Sequence, residues 1–127
     1  MRGNVQFRVD FNLAGVYKIE NTTNGKVYIG SATDIEARLH SHMSDLHRGK
    51  HACIAMQRDY DAGHIFSLDV LHVEVLPEIR GDPVKMVKSR DHLRAIELKF
   101  MQQYRSYETG YNSQRVSKKM QATLSNP

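Results

Sequence analysis

The sequence predicts an α+β fold in which a small, mostly antiparallel three-stranded sheet is flanked by helices. Two strand-like segments lie next to each other near the start of the chain, and a third follows far downstream. The stretches between and after them have helical periodicity, so the predicted order is β-β-α-α-β-α. Because 127 residues fit one domain, these elements should share a single folded unit.

The first two strands form a predicted β-hairpin over residues 15–30. Side chains alternate between two faces along residues 15–20, and residues 26–30 form the returning strand. Between them, Asn24-Gly25 is a strong turn signal, because both residues tolerate a positive φ. The hairpin is therefore the best-defined element at the start of the chain.

The helices are marked by their caps. Thr33 and Glu36 have the spacing of a capping box, which predicts a first helix that runs to Leu46 or His47 and ends before Gly49.

The other predicted elements are a short helix over 52–60, a third strand over 66–76 ended by Pro77, a loop at Gly81-Asp82-Pro83, and a long helix from Val84 to Tyr104 or Ser106.

Composition and charge exclude several classes of protein. With 40% apolar residues, 25% charged residues and no long apolar run, the chain is predicted to be neither disordered nor membrane-spanning. Cys53 is the single cysteine, which favours a reducing, intracellular compartment. The net charge of +4 favours a polyanionic partner such as DNA or RNA. The basic runs at 85–94 and 115–127 are equally typical of a solvated helix face and tail.

Two predicted helices place ionisable side chains where the helical period requires apolar ones. On the first helix, His42 lies within the apolar stripe and Arg38 lies on its shoulder. On the long helix, Glu97 lies about 40° from Leu93, in the middle of the apolar stripe. A carboxylate there is costly unless a cation or metal accompanies it. An ordinary buried Arg38–Glu97 ion pair and a hydrogen-bonded core histidine are the structural alternatives to a functional site.

The hairpin carries two tyrosines, Tyr17 and Tyr28, which could face each other across the strands. They form either an aromatic pair that only packs or part of a site. Gly15 and Gly30 bracket them, and glycine in a strand often marks a bend or a close approach of backbone. The position of these glycines beside the tyrosines favours a functional site over an aromatic pair that only packs.

These residues occur in an order that resembles a known family. Gly15-Val16-Tyr17 and Tyr28-Ile29-Gly30, ten residues apart, resemble the paired signature of the GIY-YIG nucleases, with Val in place of Ile. Arg38 and His42 on the first helix, Glu97 on the late helix and the closing Gly110-Tyr111-Asn112 follow as in that family. The similarity extends over residues 14–112 and is strongest to catalytic domains of phage intron-encoded (homing) endonucleases.

The resemblance implies a nuclease catalytic domain over residues 1–112. Residues 113–127 would then be a basic polar tail or the start of a linker or DNA-binding segment. The implied activity is metal-dependent hydrolysis of phosphodiester bonds in DNA, in a homing-type or free-standing phage or bacterial nuclease. We expect DNA as the partner, no membrane, no small-molecule cofactor, a monomer in solution, and a compartment that contains DNA.

The resemblance also implies roles for the residues in the predicted site. Glu97 would be the single protein ligand of Mg²⁺ or Mn²⁺, a hard ion that suits one carboxylate plus phosphate. Arg38 would hold the scissile phosphate with its planar donor fork. Tyr17 would receive the proton of the attacking water, with Lys26 lowering its pKa.

The other implied site residues surround these groups. Tyr28 and His42 would hydrogen-bond around the nucleophile and the leaving group. Asn112 would line the site, and His51 would contact DNA at its rim.

Three alternatives to this prediction can be tested. The first is a non-catalytic nucleic-acid-binding module of the same fold, and the second is a restriction or repair nuclease of the same family. The third is a structural zinc site built from His40, His42, His47, His51 and Cys53. The spacing disfavours the zinc site, because His40 and His42 lie about 200° apart around a helix.

Overall fold

The computed structural model describes residues 13–75 and 83–114. A three-stranded antiparallel sheet has the strand order β2-β1-β3. In chain order the elements are β1 (Leu13–Asn21), β2 (Val27–Ala32), α1 (Ile35–His47), α2 (Ile54–Asp61), β3 (Phe66–Val75), α3 (Pro83–Tyr104), α4 (Ser106–Thr109) and a 3-10 helix (Tyr111–Gln114). The predicted α+β class and the order β-β-α-α-β-α are confirmed, with two short helical turns added at the end.

Alternation along the hairpin sends side chains into two hydrophobic clusters, one on each face of the sheet. On one face, Tyr17 and Tyr28 pack with residues of α1 and α2. On the other face, Val16 and Ile29 pack against Met101 of α3. The sheet therefore separates α1 and α2 from α3, and residues from both sides can meet only around an end or an edge of the strands.

The hairpin forms, but its turn differs from the predicted Asn-Gly turn. Gly25 has a φ of 82°, whereas Asn24 does not adopt a positive φ. The side-chain oxygens of Asn21 and Asn24 each accept a 2.9 Å hydrogen bond, from the N–H groups of Thr23 and Lys26. These side chains turn the chain through a longer loop, so only one residue needs the left-handed region.

Helix α1 begins one residue later than predicted, because Asp34 rather than Thr33 is its N-cap. The Asp34 carboxylate accepts a hydrogen bond of 3.1 Å from the N–H of Ala37. An anion is also attracted to the positive end of the helix dipole, which a neutral hydroxyl is not. The predicted Thr33–Glu36 capping box is therefore wrong.

Gly15 is explained by the sheet itself. The β1–β3 register shifts between Val16 and Tyr17, and a Cβ on Gly15 would overlap the backbone carbonyl of His72 in β3. Glycine is needed where a bulge brings two backbones this close.

The chain turns sharply after α3. Arg105 adopts a left-handed φ of 56°, which ends the long helix. The side chain of Asn112 then bonds both backbone groups of Ile29 in β2: it accepts from the N–H at 2.7 Å and donates to the carbonyl at 2.9 Å. This clasp fixes the end of the described chain to the hairpin.

Some predictions fall on residues outside the described part, namely the strand end at Leu76 and Pro77, the loop at Gly81 and Asp82, and the basic tail over 115–127. Within the described part, no helix is long and apolar enough to cross a bilayer.

Candidate active site

The phenol of Tyr17 lies across Gly30 of the neighbouring strand. Tyr17 is the register partner of Gly30, and Tyr28 is the partner of Ile19, so the two tyrosines are diagonal neighbours on one face. Their ring centroids are 6.4 Å apart. A Cβ on Gly30 would overlap the hydroxyl oxygen of Tyr17. Position 30 therefore requires glycine because the Tyr17 phenol lies against it, and not because of the strand's own backbone.

Tyr17 begins a chain of buried hydrogen bonds that runs away from the sheet. Its hydroxyl lies 2.7 Å from Nε2 of His42 in α1, and Nδ1 of His42 lies 2.7 Å from Nε2 of His51. The backbone N–H of Cys53 donates to Nδ1 of His51 at 3.0 Å. All three side chains are buried. We call this arrangement the Tyr17–His42–His51 chain.

The direction of each hydrogen bond in this chain follows from the bond between Cys53 and His51, at the end away from Tyr17. The Cys53 N–H can only donate, so Nδ1 of His51 is an acceptor. In its neutral form, His51 then carries its proton on Nε2 and donates to His42. The proton of His42 is therefore assigned to Nε2, which faces the oxygen of Tyr17. Tyr17 therefore accepts a hydrogen bond within the chain.

The pKa of the Tyr17 phenol depends on burial and on the charged groups around it. Burial raises the pKa of the phenol well above its ordinary value of 10.0, and Tyr28 raises it further. The charge of Arg38 and a hydrogen bond with it lower the pKa, whereas the charge of Glu97 raises it. At neutral pH Tyr17 is therefore protonated, and both the guanidinium and the carboxylate are close enough to act on it.

An open cleft of about 460 Å³ lies where the end of β2, the start of α1 and helix α3 meet. Arg38 from α1 lines it, together with Arg90 and Arg94 from α3. Ser31 also lines it and donates a hydrogen bond of 2.5 Å to Oε1 of Glu97. The Glu97 carboxylate thus lies beside a cleft with cationic walls, and it is half-buried rather than enclosed as in a core ion pair.

The structure brings five of the predicted site residues together from three parts of the chain. Tyr17 and Tyr28 come from the hairpin, Arg38 and His42 from α1, and Glu97 from α3. The rings of Tyr17 and Tyr28 each meet the His42 imidazole edge-on, with centroids 5.4 and 5.3 Å away.

The other three predicted site residues lie in different surroundings from those expected. Lys26 lies at the turn end of the hairpin, 5.9 Å over the ring of Tyr111, and the cation that acts on the Tyr17 pKa is Arg38. His51, expected at a DNA-contacting rim, is buried within the Tyr17–His42–His51 chain. Asn112, expected to line the site, is buried and bound to the backbone of Ile29.

Sequence reasoning missed other residues of the site. Ser31 directly follows the second signature triplet and alternates to the opposite face from Gly30, which could have placed it beside the long helix. Arg90 and Arg94 were noted only as part of a basic run. Their spacing of four, with Glu97 three residues on, puts all three near one helix face, and this signal could have found them.

The donor set at Glu97 fits a hard divalent ion. Mg²⁺ keeps several waters and takes one or two carboxylates plus phosphate oxygens. Glu97 supplies one such carboxylate beside an open cleft. By contrast, within the described residues the group from His40 to Cys53 does not form a metal-ligating cluster, because His42 and His51 bond to each other while His40 and His47 are exposed.

A family model described as the GIY-YIG catalytic domain matches residues 13–112. The chain belongs to the GIY-YIG family. The resemblance read from the two triplets is thereby confirmed.

Relatives within the GIY-YIG family support this assignment. Intron-associated endonuclease 1 of Enterobacteria phage T4 is 44% identical over 59 residues, a match that covers 46% of this chain and 24% of that protein. This chain thus spans about a quarter of that relative's length. The solved catalytic domain of homing endonuclease I-TevI is 32% identical with a TM-score of 0.61, and covers 77% of this chain and 95% of that structure. A mutant form of the same domain gives 32% identity and a TM-score of 0.62 over 80% of this chain and 93% of that structure.

Proposed function

We propose that this chain is the catalytic domain of a divalent-metal-dependent DNA endonuclease of the homing type, which hydrolyses phosphodiester bonds. One observation carries the proposal: the Tyr17 phenol is hydrogen-bonded to Arg38 and lies close enough to Glu97 to be affected by its charge. A phenol, a guanidinium and a carboxylate from three elements are therefore neighbours, and Arg38 extends from this group into the open cleft. Their chemistry matches the needs of phosphodiester hydrolysis, which are a proton acceptor, a phosphate-binding cation and an ion ligand.

The walls of the cleft are suited to a nucleic-acid backbone. Arg38 is placed to hold the scissile phosphate, because its planar fork can donate to two phosphate oxygens at once. Arg90 and Arg94 line the same cleft from α3 and extend the positive surface toward neighbouring phosphates. DNA is the partner that we propose for this surface.

Tyr17 is the group that we assign to the attacking water. Its phenol must first lose a proton, and burial makes that loss unfavourable. Two donors stabilise the resulting oxyanion, namely the N–H that we assign to Nε2 of His42 and the guanidinium of Arg38. The tyrosinate oxygen can then accept the water's proton, and a higher pH increases the fraction of chains that are ready to do so.

His42 and His51 act through Tyr17. His42 orients the phenol, and His51 fixes the tautomer of His42 through the bond between their ring nitrogens. Tyr28 holds the His42 ring edge-on from the other side. We therefore assign His51 as a positioning residue rather than a DNA contact.

Glu97 is the residue that would hold Mg²⁺ or Mn²⁺. When bound there, such an ion supplies positive charge that offsets the negative charge developing on the phosphoryl and leaving oxygens. Ser31 fixes the orientation of the carboxylate through its 2.5 Å hydrogen bond to Oε1.

The proposal is tested by cleavage of supercoiled plasmid DNA with Mg²⁺ and with EDTA, together with DNA binding by gel shift. Glu97→Gln should abolish cleavage while binding and the folded state persist. Glu108→Gln is the matched control, because Glu108 is an exposed carboxylate that pairs with Arg105. Cleavage in EDTA, or wild-type rates in Glu97→Gln, would contradict the metal role. Binding without cleavage in the wild type would instead support the non-catalytic module.

A further inference from the structure

A second group of potential metal ligands lies between β3 and α3. Nε2 of His72 is 2.8 Å from Oε2 of Glu74, and Nε2 of His92 is 2.6 Å from the same oxygen. The three ligand atoms all lie within 4.8 Å of one another. In the described part of the chain this is the group of histidine, cysteine and acidic side chains that is close enough to share an ion.

The backbone explains why these side chains meet. His72 and Glu74 are two residues apart on a strand, so both project from the same face of β3. The register partner of His72 is Val16, which packs against α3. His92 lies on α3 and completes the group from the opposite side. The cluster therefore bridges the edge strand and the helix that carries Arg94 and Glu97.

The donor set distinguishes this cluster from the catalytic cleft. Two imidazole nitrogens and one carboxylate oxygen form a three-ligand set that is typical of zinc, whereas Mg²⁺ prefers oxygen ligands. Around a tetrahedral zinc ion the ligand atoms lie about 3.3 Å apart. Small side-chain rotations would open the present contacts to that spacing.

The surroundings also suit an ion. The side chains of His72, Glu74 and His92 are 34%, 24% and 57% exposed, so an ion can enter and a water can fill the fourth position. Both imidazoles already lie against the Glu74 carboxylate, so an ion would not have to draw the three side chains together from a distance.

We propose that His72, Glu74 and His92 bind a zinc ion that ties β3 to α3. The ion would keep one position for water, and its site is separate from the one proposed at Glu97. By linking strand and helix, it would hold the part of α3 next to Arg90 and Arg94 against the sheet.

The test uses tag-free protein that has been dialysed against EDTA and then titrated with zinc chloride. Calorimetry should show one tight site per chain, and zinc should raise Tm by several degrees. X-ray absorption should show two imidazoles in the first coordination shell.

Variants locate the site. Glu74→Gln keeps the side-chain volume and a hydrogen-bonding oxygen but removes the charge, and His92→Ala removes a ligand; each should weaken zinc binding at least tenfold. His40→Ala removes an exposed histidine on α1 and should bind as the wild type does. Glu97→Gln should also keep the site, which separates this proposal from the catalytic one. Equal zinc affinity in Glu74→Gln and the wild type, or no zinc-dependent change in Tm, would overturn it and leave a His–Glu hydrogen-bond cluster.

Discussion

The two halves of the candidate active site differ in the surroundings of their polar groups. The Tyr17–His42–His51 chain is enclosed, and each of its members bonds to the next. The cleft beside Glu97 is open and is lined by three arginines. One half is complete before any substrate arrives, whereas the other holds positive charge that a polyanion would neutralise. Under the proposed function, the enclosed half sets the geometry of the phenol and the open half attracts the substrate.

The hydrogen bonds of the enclosed half and the charges of the open half contribute differently to stability. Buried hydrogen bonds are directional and each contributes about 0.5–1.5 kcal/mol net, so a complete chain keeps the phenol in one orientation. The three arginines carry like charges, so they do not stabilise one another, and salt screens their charge. Mutations in the two halves should therefore differ in their effects on geometry, binding and stability.

The largest expected effect after the loss of Glu97 is at Arg38. Arg38→Ala removes the cation that both lines the cleft and acts on Tyr17, so cleavage should fall roughly 10²–10³-fold. Single-turnover cleavage of a DNA duplex measures this. Arg48→Ala is the control, because Arg48 at the end of the same helix pairs only with exposed Asp45 among the ion pairs of the described residues. Retained activity in Arg38→Ala would reduce Arg38 to a structural residue.

Gly30 offers a way to disturb the enclosed half without removing a charge from the cleft. In Gly30→Ala the new methyl group overlaps the Tyr17 hydroxyl, so the ring must shift and its bond to His42 lengthens. A displacement near 1 Å would lower the cleavage rate by about 10- to 100-fold. DNA affinity, measured by gel shift, should stay near the wild-type value because the arginines are untouched. If affinity falls as much as rate does, the two halves are not separable.

The pH profile tests whether Tyr17 is the base. Its raised pKa keeps the tyrosinate a minority species, so the logarithm of the cleavage rate should rise with a slope near one between about pH 6 and 9, without a plateau. Single-turnover rates at saturating protein report this directly. Tyr17→Phe should remove the slope and most of the activity, whereas Tyr28→Phe should keep the slope. A plateau near neutral pH in the wild type would assign the proton transfer to another group.

The smallest effect concerns stability on the enclosed face, at a residue outside the catalytic set. Burial and the bond to Asp59 raise the pKa of Tyr111 from 10.0 to about 12. The unfolded chain ionises first, so stability should be lost as pH rises through this window. Tyr111→Phe removes the bonds to Asp59 and Asn21 and should lower the free energy of unfolding by about 1–2 kcal/mol at pH 7. Urea unfolding at pH 7 and pH 11 measures both effects; an unchanged alkaline sensitivity in Tyr111→Phe would place its origin elsewhere.

The sequence was sufficient for features that depend on local pattern. The hairpin, the inward positions of His42 and Glu97, and the meaning of the two triplets all follow from periodicity or motif. Asp34 was missed because two adjacent residues could both cap α1, and only the competition between a hydroxyl and a carboxylate decides which one does.

Features that depend on contacts between distant parts of the sequence could not be predicted from local pattern. His51 is buried because the loop after α1 folds back against His42, and the Cys53 N–H donates to its ring. The register shift opposite Gly15 depends on which strand pairs with β1, and Arg105 ends α3 through its backbone conformation alone. The first two features depend on a tertiary partner, and the sequence near the residue does not identify that partner.

The clasp at Asn112 has a consequence beyond joining two elements. Among the described strands β2 lies at an edge of the sheet, and a free edge can pair with a strand of another molecule. At Ile29 both outward backbone groups are already occupied by one amide side chain. The Asn112 side chain thus occupies the backbone groups of Ile29 that a strand of another molecule would need, and it blocks edge-to-edge pairing at this residue.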